Sequence, residues 1–212
     1  MASVITDHPP QELAAELGAL LRVDWRTVWA GKPEGEAGLA DWCAGFGWKP
    51  LWLQSGLWVR TPGGGRLHLA SSGGPGRPVT RASYAAWRVR ADSTSEDTGV
   101  MAVALDRYAT HLAQMTTALG PPGWEGAWDS PDFPAPPAPG RWGDAEERLE
   151  RRAPYRLAQW KYSNPLAPVI VLDLYCRAMG PGPVPGPGGG TITLTFHGPA
   201  DPDPVGGPGW RL

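Results

Sequence analysis

The chain has 212 residues, 42% of them hydrophobic, with nineteen basic against twenty-one acidic residues and a formal charge of −2. That length suits one domain with extensions, and a near-neutral balance without a Lys/Arg-rich run lacks the footprint of a nucleic-acid binder. No run approaches the roughly 18 apolar residues of a membrane span, and the opening MASVITDHPPQELAAELG has no basic stretch leading into an apolar one. A soluble, cytoplasmic chain is expected.

Pro9 and Pro10 suit a first helical turn, where a missing N–H is harmless. Leu13, Leu17, Leu20 and Leu21 then recur with helical spacing. A second short helix is expected over 36–44, with Leu39, Trp42 and Cys43 inward and Gly45 as its left-handed stop. N-terminal helices thus occupy 9–45.

From Trp48 the period changes to two. WKPLWLQ and LWVRT flank Ser55-Gly56, a tight hairpin turn, and Pro50 pushes the first strand to a sheet edge. TPGGGRLHLAS reads as a second hairpin about residues 63–65. After a Gly/Pro loop at 72–78, SYAAWRVRA alternates, with Ala85, Trp87 and Val89 on one face and Tyr84, Ala86, Arg88 and Arg90 on a solvated one. These strands fill 48–91.

A long helix over 95–119 opens with cap-type residues and the acids Glu96 and Asp97, which suit the helix dipole. Its expected stripe is Met101, Leu105, Tyr108, Leu112, Met115 and Leu119, and Gly120, Pro121 and Pro122 end it. Residues 120–142 follow, with seven prolines and three tryptophans, and read as a long loop within one domain. GDAEERLERRAP is a charged helix or an exposed connection. C-terminal strands occupy 155–197. YRLAQWKYS and PVIVLDLYCRA form a hairpin about Asn164-Pro165, with Ile170, Leu172, Leu174 and Cys176 on one face and Val169, Val171, Asp173 and Tyr175 on the other. After the Gly/Pro stretch MGPGPVPGPGGG, Ile192, Leu194 and Phe196 point inward from TITLTF, and 198–212 is a tail. Hairpin-linked strands around one long helix predict an α+β fold: an antiparallel sheet covered on one face by the long helix and the N-terminal helices, with long Gly/Pro-rich loops. The 212 residues are expected to form a single domain.

Motifs for catalysis are sparse. His8, His68, His111 and His197 lack metal-ligand spacing, no Gly-x-Ser-x-Gly elbow occurs, and neither Gly-rich stretch runs from strand into helix to cradle phosphate. No catalytic set, metal or cofactor is expected. Cys43 and Cys176 read as buried free thiols, and His111 as a residue at the margin of the helix stripe. Two weak polar candidates remain. His68 faces away from Leu67 and Leu69, and Asp173 is the lone charge in an apolar strand, where desolvation would raise its pKa unless it meets solvent or pairs with Arg156 or Arg88.

Tryptophan is the unusual feature, with twelve in the chain. Most suit packing. Trp124 and Trp128 stand beside Glu125, Asp129 and Asp132 in the proline-rich segment. Two readings are open: they fold back over the sheet, or they form rigid, acid-ringed anchors for a partner protein with a basic surface.

LADWCAGFGWKP, YATHLAQMTTALGPPGW, RWGDAEERL and VIVLDLYC, in that order, resemble small uncharacterised actinobacterial proteins of unknown function across about residues 39–176. That resemblance implies an immunity or accessory partner of a toxin or secretion system and brings no catalytic residues. The expected function is a non-enzymatic protein-interaction module, an immunity-type inhibitor or specialised chaperone. The alternatives are a small-molecule enzyme with a cleft between the sheet and the 120–142 loop, and a subunit of a larger assembly such as a phage or secretion structure.

Overall fold

The computed structural model of the chain describes residues 2–71, 77–137, 142–164, 167–179 and 186–198. In chain order these form β1 (Ser3–Asp7), α1 (Pro10–Leu20), α2 (Trp25–Ala30), α3 (Glu36–Gly45), β2 (Lys49–Leu53), β3 (Leu57–Arg60), β4 (Arg66–Ser71) and β5 (Val79–Arg90). Then come α4 (Asp97–Leu119), β6 (Trp124–Ala127), α5 (Ala145–Arg151), β7 (Arg156–Trp160), β8 (Val169–Met179) and β9 (Gly186–His197).

The strands build one antiparallel nine-stranded sheet in the order β2-β3-β4-β5-β9-β8-β7-β6. β4 pairs with the first half of β5 and β1 with the second, while β9 runs along the other edge. Strands from both sides of α4 therefore share a sheet, and the fold is α+β as expected.

The inner face carries Leu57, Val59, Leu67, Leu69, Ala82, Tyr84, Ile170, Leu172, Leu174, Ile192, Leu194 and Phe196, all buried. They join the apolar sides of the N-terminal helices and α4 in one core. α4 lies on β8 and β9, and α2 on β5. Trp25 stacks between Trp29 and Phe196 at 4.8 Å from each. The outer face has a smaller core of Trp142, Leu157 and Val171, edged by Trp124, Phe133 and Val169.

Several expectations need correction. β1 and α2 carry too few residues to show a period, and both are elements. In α1 the buried set is Pro10, Leu13, Glu16, Leu17 and Leu20, while Leu21, just past the helix, is 42% exposed. Gly45 is the last residue of α3 rather than its stop; the positive φ falls at Gly47, whose N–H bonds back to Ala44. α4 buries Val100, Ala104, Tyr108, His111 and Met115, a stripe rotated by about one residue from the expected one. The rotation puts the small Ala104 over Gly190, where an added Cβ would come within 2.9 Å of the alanine's own. His111 is consequently fully buried rather than marginal.

In β5, a register shift between Ala85 and Trp87 changes the phase. Tyr84 and Ala86 are buried, and so are Trp87 and Val89. Alternation is as expected after this bulge and inverted before it. Residues 120–142 are not one loop, because β6 extends the sheet beyond β7. β8 continues to Met179 and β9 starts at Gly186, inside the stretch expected as a Gly/Pro connection. The loop residues 72–76, the turn residue Pro165 and the tail from 199 onward lie outside the described residues.

Candidate functional site

The helices leave the outer face to be covered from elsewhere. At its β7 end, the chain after β6 turns back: Ser130 N–H bonds to the Ala127 carbonyl and Ala127 N–H to Ser130 Oγ, both at 3.0 Å. Phe133 then meets Trp124 and Trp142 edge-on, at 4.9 and 5.7 Å. Trp142 Nε1–H donates to the Pro134 carbonyl at 3.1 Å. α5 starts directly afterwards, with Asp144 accepting from the Glu147 N–H at 2.9 Å, which is an ordinary Asp N-cap.

This cover stops short of the middle of the sheet. Between it and β1–β5 lies an open trough of about 830 Å³. Thr191, Thr193, Asp173, Tyr175 and Gly189 form the floor; Trp142, Gly143, Glu147, Arg151 and Ala153 form one wall, and Ile5, Arg88, Val89 and Arg90 the other. Register places Tyr175, Thr191 and Arg88 in one cross-strand row, and Asp173, Thr193 and Ala85 in another. On the α5 wall, Arg151 Nη1 pairs with Glu147 Oε1 at 2.9 Å. Arg88 and Arg90 are exposed and two residues apart on one face of β5. The trough therefore offers hydroxyls, an indole, two arginines at one end and a buried carboxylate toward the other.

Of the residues singled out from sequence, only Asp173 lines this trough. It is 1% exposed, so its face is not solvated there. Arg156 pairs with Leu174 on the opposite face. Arg88 shares the outer face but stands two strands and one row away, about 12 Å by strand spacing and rise. His68 lies elsewhere, stacked on Trp58 at 4.6 Å, which itself stacks on Trp52 at 5.7 Å. Its Nε2–H donates to the Ser55 carbonyl at 2.9 Å, and burial holds the imidazole below its ordinary pKa. Arg66 covers the free end of that aromatic ladder, over Trp52.

The acid-ringed tryptophans take the folded-back arrangement. Trp124 is half-buried in β6, and its Nε1–H donates to Asp132 at 3.2 Å. Trp128 is half-buried with the Arg152 guanidinium 5.6 Å from its ring. Glu125 pairs with Ala158 and so faces the helical side, away from Trp124. Asp129 is exposed. Trp124 and Asp132 are thus brought together, while Glu125 is turned away from them.

Other reactive groups are dispersed. Burial pushes the Cys43 thiol up to about 11 and Cys176 to about 12. His111 sets Nδ1 2.8 Å from the Arg107 carbonyl and Nε2 3.3 Å from that of His8, and burial lowers its pKa. Among the described residues, no three His, Cys, Asp or Glu side chains gather as a metal site would require, and no helix is long and apolar enough to cross a membrane.

Sequence reasoning missed Trp142, Arg151, Thr191 and Thr193 as site residues; it took Arg90 only as part of a solvated face, and Arg88 as that or as a partner for Asp173. The signal was Thr-x-Thr on a central strand: polar residues facing outward in mid-sheet mark a face left uncovered. Comparison with protein-family models, with curated proteins and with solved structures gives no match for this chain.

Proposed function

We propose that this protein is a non-enzymatic binding module that receives its ligand in the trough between α5 and the β1–β5 side of the sheet. The observation that carries the reading is the preformed concavity of about 830 Å³, within the size range of ligand sites and mixing apolar walls with a few polar groups. The reading is non-enzymatic because the two thiols are shifted away from the thiolate, and because His68 and His111 are held by main-chain carbonyls away from the trough. The reading differs from docking through Trp124 and Trp128, whose rings are engaged within the chain. An immunity-type or chaperone role suits the module if the ligand is a segment of another protein.

A fragment and short-peptide screen by amide chemical shifts tests it. Hits should move Thr191, Thr193, Tyr175 and Glu147 together and come back chemically unchanged after long incubation. Shifts confined to Trp52 and Trp58, or turnover of a hit that is lost on Asp173→Asn, would defeat the proposal.

A further inference from the structure

Resting on the trough reading, the geometry points to a ligand class: we propose that the trough binds a small molecule through an oxyanion, a carboxylate or phosphate group, held by Arg88 and Arg90. The two residues stand about 7 Å apart on one face of β5, from the rise of an extended strand. Neither guanidinium stands in an ion pair given for the described residues, although Asp92 is near enough to Arg90 for the two charges to interact. Arg151, which also lines the trough, differs in being paired with Glu147. Asp173, the other carboxylate among the described lining residues, lies at the far end by the cross-strand register. One end is therefore cationic, with planar forks that match an oxyanion bidentately.

At Gly189 the floor beside these arginines carries no side chain. Gly189 pairs with Arg90, and a Cβ there would come within 2.8 Å of the Val89 carbonyl. Thr191, next along the same face, pairs with Arg88 and offers a hydroxyl beside the anion. Trp142 supplies an apolar wall for the body of the molecule.

The test is an NMR titration of the full chain with succinate, phenyl phosphate and phenylacetate, against the neutral probes succinamide and benzyl alcohol. The anions should shift the Arg88 and Arg90 side-chain signals together with the Thr191 amide. Raising the salt concentration should weaken binding, and Arg88→Gln or Arg90→Gln should each weaken it at least about tenfold, the cost of one charge-assisted hydrogen bond. Both residues are exposed, so the variants should keep the wild-type spectrum elsewhere. Preference between phenyl phosphate and the carboxylates tells which oxyanion the site selects. If neutral probes bind the trough as well as the anions do, the oxyanion inference fails while the trough reading survives. If no probe of either kind moves the trough residues, both fail.

Discussion

Trp142→Ala is the most informative single change, because it asks whether the segment after β6 belongs to the fold. Trp142 is 7% exposed and packs on the fully buried Leu157 and Val171. It also meets Phe133 edge-on and donates to the Pro134 carbonyl. Truncating a buried tryptophan costs about 3–5 kcal/mol. This satellite core is small and can partly collapse, so the lower end, about 3 kcal/mol, is expected. Trp142→Phe keeps a ring against Phe133 and loses mainly the hydrogen bond, about 1 kcal/mol. Trp128→Ala removes a half-buried ring with one cation–π partner, and also costs about 1 kcal/mol. Urea unfolding followed by far-UV circular dichroism gives all three values on one scale. If Trp142→Ala costs no more than Trp128→Ala, with an unchanged denaturant slope, the smaller core does not hold that segment down and the trough lacks a fixed wall.

Gly190→Ala would place a Cβ 2.9 Å from that of Ala104; overpacking of about 1–3 kcal/mol is expected, and Ala104→Gly added to it should recover part. Additivity of the two within about 0.5 kcal/mol would show that α4 does not touch the sheet there. With thiol pKa values of about 11 and about 12, the thiolate fractions at pH 8 are roughly 0.1% and 0.01%. Iodoacetamide should thus label Cys43 and Cys176 at least about a hundredfold more slowly in native buffer than in urea; equal rates would contradict the burial of Cys43 and the partial burial of Cys176, which the sequence reading took as fully buried. Glu16 is 4% exposed, and burial raises its pKa above the usual 4.5. A raised carboxyl pKa means that the folded state binds the proton more tightly. The stability this gives is complete below pH 4.5 and is lost as pH rises through the folded value. Glu16→Gln should therefore raise the urea midpoint at pH 7 and leave it unchanged at about pH 4; a lower midpoint at pH 7 would mean that the charged form is the stabilised one.

Sequence periodicity located the elements that carry a long apolar pattern: α4, the β2–β3 and β3–β4 hairpins, and the alternation of β8 and β9. It failed where local signals cannot see the partner. β1 is five residues, and only its register against Arg90 through Trp87 makes it a strand. α2 has a clear Asp24 N-cap, with its carboxylate accepting from Thr27, but only six residues. Residue size alone favours Met101 and Leu105 over Val100 and Ala104 for the inward stripe of α4. Close approach to Gly190 rewards the smaller side chain instead. β6 was hidden among prolines because a four-residue edge strand needs only one neighbour. The trough was harder still to see, since its residues come from β1, β5, α5, β8 and β9, and only the sheet register assembles them.

The bulge in β5 accounts for why arginines face that trough at all. Before it, the even-numbered residues Ala82, Tyr84 and Ala86 lie beneath the helices; after it, Trp87 and Val89 do. The one extra residue turns Arg88 and Arg90 to the outer face. Were β5 regular, the even-numbered phase would continue and both guanidinium groups would point under α4, where an uncompensated charge costs several kcal/mol. Deleting Ala86, the unmatched residue, would instead give a regular strand in which Tyr84, Trp87 and Val89 still face inward and Ala85, Arg88 and Arg90 outward. The same local irregularity thus serves the core, by seating Trp87 against the helical layer, and supplies the positive end of the outer trough.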